Sequence, residues 1–156
     1  MLSDGRVALR AFTERHANDT YLSWFKDPEV AQFITHRPET LSAAKAYVTG
    51  KLLDHDCRFF SIDWKRERIG TLKLQRDTRD RAIWWLGLMI GDPCARGHGL
   101  GSRAIWLGCC YAFDTLKAGK IMAGIDHANK ASVRCFEKAG FCMASDPEKI
   151  VAWKTP

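Results

Sequence analysis

Residues 94–105, CARGHGLGSRAI, set glycine at every second position, Gly97, Gly99 and Gly101, just ahead of an apolar run with helical spacing. Backbone N–H groups that open a helix have no intrahelical acceptor and carry the positive end of its dipole. Glycines at that point let the main chain come within hydrogen-bond distance of a phosphate. The stretch therefore predicts a pyrophosphate cradle made by the main chain of Gly97, His98, Gly99, Leu100 and Gly101, with Arg96 and Ser102 adding donors. It is not the G-x-x-x-x-G-K-[ST] loop, because neither Lys-Ser nor Lys-Thr follows the last glycine, and Ser102 and Ala104 break a G-x-G-x-x-G reading. A plain loop before a surface helix is the other reading that these residues alone leave open.

The elements that must hold this loop are read from periodicity. RVALRAF alternates as a strand, and ERHANDTYLSWFKDPEVAQFI follows as helical pieces broken before Pro28. TLSAAKAYVTGKLLD puts Leu41, Ala44, Val48 and Leu52 on one helical face, with Thr40 as N-cap. RFFSID, RIGTLKLQRD and RAIWWLGLMIGD then form an antiparallel meander across polar turns. A helix from Leu100 to Thr115, ended by Lys117 and Gly119, leads to the strand KIMAGID. The helix NKASVRCFEKAG, closed by Gly140, and two strands, FCMAS and KIVAWK, complete the order. This succession predicts an α/β (α+β) fold, a mixed and mostly antiparallel sheet of six to seven strands flanked by about four helices.

Composition bounds the function. A chain of 156 residues with 46% hydrophobic content suits one domain over 1–156 with a single core. The charged start MLSDGRVALR is no secretory leader, and the longest apolar runs, AIWWLGLMIG and AIWLGCCYAF, fall short of the ~20 residues that span a bilayer. A soluble, cytoplasmic protein without a membrane partner is expected. Six cysteines with no C-x-x-C spacing predict reduced, mostly buried thiols and no metal site. A net charge of +6 favours an anionic small-molecule ligand. Nucleic acid is set aside, because the arginine-dense WKRERIG and RDTRDR also carry Glu67, Asp77 and Asp80 and fall at turns. Monomer and homodimer are both compatible with the sequence.

Arg96-x-x-Gly99-x-Gly101 resembles the [Q/R]-x-x-G-x-[G/A] acetyl-coenzyme A motif of the GNAT N-acetyltransferase superfamily. NKASVRCFEKAGF resembles that family's later N-x-x-[S/A]-x-x-x-[Y/F]-x-x-x-G-F helix. YLSWFKDPEVAQFITHR, with Gly87 and Gly91 in the strand before the loop, is similar to the RimJ/RimL-like branch. The resemblance implies that the sheet splays between its fourth and fifth strands, WWLGLMI and KIMAGID. Coenzyme A would lie in that gap, its pantetheine amides pairing with the main chain of Leu88, Met89 and Ile90 as an added strand would. It also implies that Asn129 hydrogen-bonds the arm and that Ser132 and Phe136 line its path. Read without the resemblance, Asn129 is a helix cap and Phe136 a core residue.

The implied reaction is direct attack of a primary amine on the thioester in a ternary complex. A main-chain N–H near Leu88 or Met89 is expected to stabilise the oxyanion. An alkyl ammonium of pKa about 10.4 must lose its proton, and Glu29, His36, Asp63 and Asp92 are the candidate bases. Where many relatives carry a tyrosine acid this chain has Phe136, so water or the Ser132 hydroxyl would protonate the departing sulfur. The acceptor is expected to face Trp24, Phe33, Arg37, Trp84 and Trp85, a set suited to a ring with an anionic group, such as a nucleotide-linked amino sugar. A peptide N-terminus, a polyamine, an aminoglycoside, or coenzyme A binding without turnover are the alternatives.

Overall fold

Asp4 and Gly5 form a tight turn, Gly5 at φ +86° and Asp4 Oδ1 accepting the N–H groups of Arg6 and Val7. That turn pairs Leu2–Ser3 (β1) with Val7–Ala11 (β2), the first hairpin of a sheet that runs through the computed structural model, which describes residues 1–156. Cys57–Trp64 (β3), Glu67–Arg76 (β4) and Ile83–Ile90 (β5) continue it as the expected antiparallel meander. Lys120–Ile125 (β6), Cys142–Ser145 (β7) and Ile150–Lys154 (β8) complete eight strands in the order β1-β2-β3-β4-β5-β6-β8-β7. The strand beyond the expected seven is β1, whose two residues are too short to show an alternation.

The pairing of β5 with β6 positions the site. These strands are parallel and in register only at Ile83–Lys120, Trp84–Ile121 and Trp85–Met122, after which they diverge. The far half of β5 therefore has a neighbour on its β4 side alone, and the sheet opens where the resemblance placed the splay.

Helices cover both faces. On one side lie Asp19–Trp24 (α1), Pro28–Ala31 (α2) and Leu41–Leu53 (α3). Thr40 caps α3 as expected, its Oγ1 accepting the Ala43 N–H at 3.1 Å. Ala44 and Val48 are fully buried there, whereas Leu52 is 38% exposed, so the buried stripe is narrower than the spacing suggested. On the other side lie Leu100–Asp114 (α4) and Lys130–Lys138 (α5). Gly108 lets α4 sit close to the sheet, since a Cβ there would meet Leu72 Cδ1 at 3.0 Å. Five α-helices and the 3₁₀ turns Glu14–His16 and Pro93–Ala95 stand where about four helices were expected. No helix is long and apolar enough to cross a membrane.

Candidate active site

The divergence of β5 from β6 opens a cleft of about 780 Å³, within the usual range of small-ligand sites. Its floor is the far half of β5, and its walls are the glycine loop with the start of α4, the first turns of α5, and the segment Gln32–Phe33–Ile34 after α2. Register decides which amides of β5 face it. Asp77 N–H donates to Ile83 C=O and Gly91 N–H to Ile69 C=O, each at 2.9 Å. Between those bonds the β4–β5 pairing is continuous, and main-chain groups in an antiparallel pair alternate in direction. Odd-numbered residues of β5 thus bond β4, and even-numbered ones face the β6 side: the Trp85–Met122 pair still holds the Leu86 N–H against β6, whereas Leu88 and Ile90 turn their N–H and C=O groups into the cleft. The expectation for Met89 is corrected on this point: its side chain borders the cleft, but its amide belongs to β4.

The glycine loop is held from behind. Asp92 caps the 3₁₀ turn, accepting the Cys94 N–H at 2.8 Å. Arg96 donates to Asp27 Oδ2 at 2.7 Å, Glu29 Oε2 at 2.9 Å and Gly91 C=O at 3.2 Å. Its guanidinium thus ties the loop to α2 and the end of β5, while Arg96 also borders the cleft where a phosphate donor was expected. Gly97 and Gly99 take φ +77° and +71°, a left-handed backbone that side chains rarely adopt. The N–H groups of Gly97, His98, Gly99, Leu100 and Gly101 find no acceptor in the protein. A left-handed residue followed by the helical start of α4 is an anion-binding concavity, and these orphaned donors fit a diphosphate.

Gly101 is required for a different reason. A Cβ there would lie 2.9 Å from Cys135 Sγ and 3.3 Å from Leu88 Cδ2, so its absence lets α4 approach α5 and β5 together. Burial pushes the Cys135 thiol up, away from a reactive thiolate. Asn129 caps α5, its Oδ1 accepting the Ser132 N–H at 3.1 Å, and it borders the cleft with its amide NH₂ free to donate. Ser132 borders the cleft beside it. The sequence reading missed three exposed cations on the α5 wall, Lys130, Arg134 and Lys138. Their spacing of four residues, one helical turn each, was the signal. The only carboxylate in the cleft wall, Glu29, is already paired to Arg96. The electrostatics favour an anion carrying several charges.

Several expected residues lie elsewhere. Phe136 is 2% exposed and packs edge-on against Phe141 at 4.9 Å, so it is core and does not line the cofactor's path. His98 packs on Trp64 at 5.0 Å, outside the cleft. Trp84 is buried on the α4 side of the sheet and cannot meet an acceptor on the α3 side. Trp85 lies on that side, its indole N–H donating to Asp77 Oδ2 at 2.8 Å. Trp24 is buried against Gly91, where any Cβ would enter the indole. Arg37 is exposed and outside the cleft, leaving Phe33 as the one expected acceptor residue in its wall. The candidate bases are also engaged: Asp92 in its cap, Glu29 with Arg96, Asp63 with Arg10 at 2.9 Å, and His36 stacked on Tyr47 at 4.4 Å.

A sheet parted between two parallel strands, with orphaned helix-opening amides at one end of the gap, is shaped to take an extended ligand that ends in phosphate groups. Residues 6–142 match the family model of the acetyltransferase (GNAT) domain, and the chain belongs to this family. It is an N-acetyltransferase whose acyl donor is acetyl-CoA. The alpha/beta-tubulin-N-acetyltransferase 9 of Homo sapiens is 29% identical over 154 residues, covering 90% of this chain and 74% of that protein. An N-acetyltransferase 9-like protein of Nematostella vectensis is 25% identical, covering 94% and 80%. Among solved structures, aminoglycoside acetyltransferase AAC(6')-Ib with coenzyme A superposes with TM-score 0.81 at 20% identity, covering 96% of this chain and 94% of that one. Mycobacterium smegmatis RimJ with CoA-disulfide gives 0.82 at 16% identity, covering 96% and 81%. Both structures share the fold.

Proposed function

We propose that the chain moves an acetyl group from acetyl-CoA to a primary amine of a small molecule by direct attack in a ternary complex. The observation that carries this reading is the open edge of β5, at Leu88 and Ile90, running toward the orphaned amides of residues 97–101. Acetyl-CoA supplies the activated acetyl thioester. The main chain of residues 97–101 holds its diphosphate, and Lys130, Arg134 and Lys138 draw its charge to that end of the cleft. Ile90 pairs with the peptide-like arm, and Asn129 donates to it. Leu88 N–H donates to the thioester oxygen, which gains charge in the transition state. Ser132 offers its hydroxyl to the departing sulfur, and the proton of the attacking amine leaves through water.

The acceptor enters from the α3 side, where the space above Gly87 is open. A second reading, transfer to a protein amine, is favoured by the likeness to proteins named for tubulin over 90% of this chain. Both are tested by incubating the protein and acetyl-CoA with amino sugars, peptides and folded proteins. Coenzyme A thiol release is followed, and products are identified by mass. Acetylated small amines support the first reading, and acetylation confined to proteins supports the second. Absence of acetylation in every arm would overturn both.

A further inference from the structure

We infer that the acceptor half of the site contains an anion subsite built around Tyr47, so that the accepted amine also carries a carboxylate or phosphate. The inference rests on the acetyltransferase reading above. Tyr47, on α3, stacks its ring on His36 at 4.4 Å with 24° between the planes. Lys73 Nζ donates to Tyr47 Oη at 3.0 Å and stands 5.7 Å from the ring centroid. Lys51 Nζ is 5.9 Å from the same centroid and donates to Gln75 Oε1 at 3.1 Å. Neither lysine pairs with a carboxylate, because the ion pairs of the molecule, Arg10–Asp63, Arg81–Asp56, Arg96–Asp27/Glu29 and Arg103–Asp4, lie elsewhere. The nearby acids are engaged. Asp54 accepts from Gln75 Nε2 and the Asp56 N–H, and Asp77 accepts from the Trp85 indole and the N–H groups of Arg79 and Asp80.

Two ammonium groups around one phenol, neither in a direct ion pair although Asp54 lies within electrostatic reach of Lys51, make a concentrated set of donors for an anion. Its place in the fold ties it to the reaction. Lys73 stands opposite Gly87 in the β4–β5 register, one residue from Leu88, whose N–H faces the cleft. Above Gly87 the space is open, and Ile34, which borders the cleft, packs against the same buried cluster as Tyr47. An amine directed at the thioester from this side would extend its other end over Gly87 toward Lys73. Polycationic acceptors are disfavoured by the same charges, although the fold is shared with an aminoglycoside acetyltransferase.

The test is calorimetric titration of the coenzyme A-loaded protein with two matched pairs, glucosamine 6-phosphate against glucosamine and β-alanine against β-alaninamide. The anionic member is expected to bind about tenfold more tightly in at least one pair, and which pair responds tells phosphate from carboxylate. Lys73→Met and, separately, Lys51→Met should each reduce that preference at least about threefold while leaving coenzyme A affinity unchanged. Equal affinity within both pairs, no binding by any of the four amines at millimolar concentration, or a preference untouched in both folded variants would overturn the subsite alone. Failure of the wild-type protein to take up coenzyme A would overturn the acetyltransferase reading with it.

Discussion

Arg96 and Asp27 stand 2.7 Å apart, Nη2 to Oδ2, across the junction between the glycine loop and α2. The same guanidinium reaches Glu29, so the donor loop and the short helix on the acceptor side are fastened by one side chain. Arg96 is thus a positioning residue. Arg96→Gln is expected to raise KM for acetyl-CoA about tenfold with kcat changed less than about twofold, since a charge-assisted contact is lost but no reacting group is removed. Steady-state kinetics check this, and an equal fall in kcat at unchanged KM would contradict it.

The same pair predicts an acid response. The Arg96 guanidinium, helped by the Glu29 N–H, holds the Asp27 carboxyl below the usual carboxylate value. A carboxyl lowered on folding contributes stability that is complete above its unfolded pKa, about 3.9, and is lost as pH falls through the folded value. Melting curves of wild type and Asp27→Asn should therefore differ by a constant amount from neutral pH down to about 5 and converge below about 4.

Gly101→Val forces a branched side chain against Cys135 and Leu88, and overpacking of this kind costs about 1–3 kcal/mol. The variant should melt several degrees lower and lose the stabilisation that acetyl-CoA is expected to give the wild type in a thermal-shift assay. Gly50→Ala is the control: it lies within α3 with open space around it, and should gain about 0.5–1 kcal/mol with acetyl-CoA binding intact.

Lys130→Ala, Arg134→Ala and Lys138→Ala should each weaken acetyl-CoA binding about two- to fivefold, and the triple variant should flatten its dependence on salt. Titrations at low and moderate ionic strength measure both effects. An affinity unmoved in the triple variant would show that α5 takes no part in holding the anion.

Phe136→Tyr puts a hydroxyl into apolar packing against Phe141, with no acceptor supplied. It should cost about 1–3 kcal/mol and leave kcat no higher than in wild type, as measured by denaturant unfolding and turnover. A gain in kcat would mean that the ring reaches the thioester after all.

The order of elements was legible because each long segment carries a clear period and the glycines mark the turns. The unpartnered main chain of residues 97–101 was legible for the same reason, since its path needs a backbone freedom that glycine supplies at Gly97 and Gly99. Facing was harder. Trp84 and Trp85 are neighbours in one strand, so they must point to opposite faces, and a site containing both was excluded by geometry already present in the sequence. Choosing Leu88 over Met89 required the parity of the β4–β5 register, which depends on how Asp77 meets Ile83. A motif gave Phe136 its position in a pattern but not its direction. Asn129 is the helix cap that its own sequence context suggests, and a capping side chain uses only its oxygen, which leaves the amide NH₂ free at the cleft. Tyr47 and its lysines were invisible because α3, β4 and the segment bearing His36 meet only on folding.

The three-pair contact between β5 and β6 gives the resting enzyme an interior seam whose amides are exposed to solvent. In deuterated buffer, Leu88 and Ile90 should exchange quickly despite lying in a middle strand, while Met89 between them is protected through β4 and Leu86 through β6. Saturating coenzyme A should slow those alternate positions by closing the seam, so the exchange pattern reads out occupancy of the enzyme without any acceptor present.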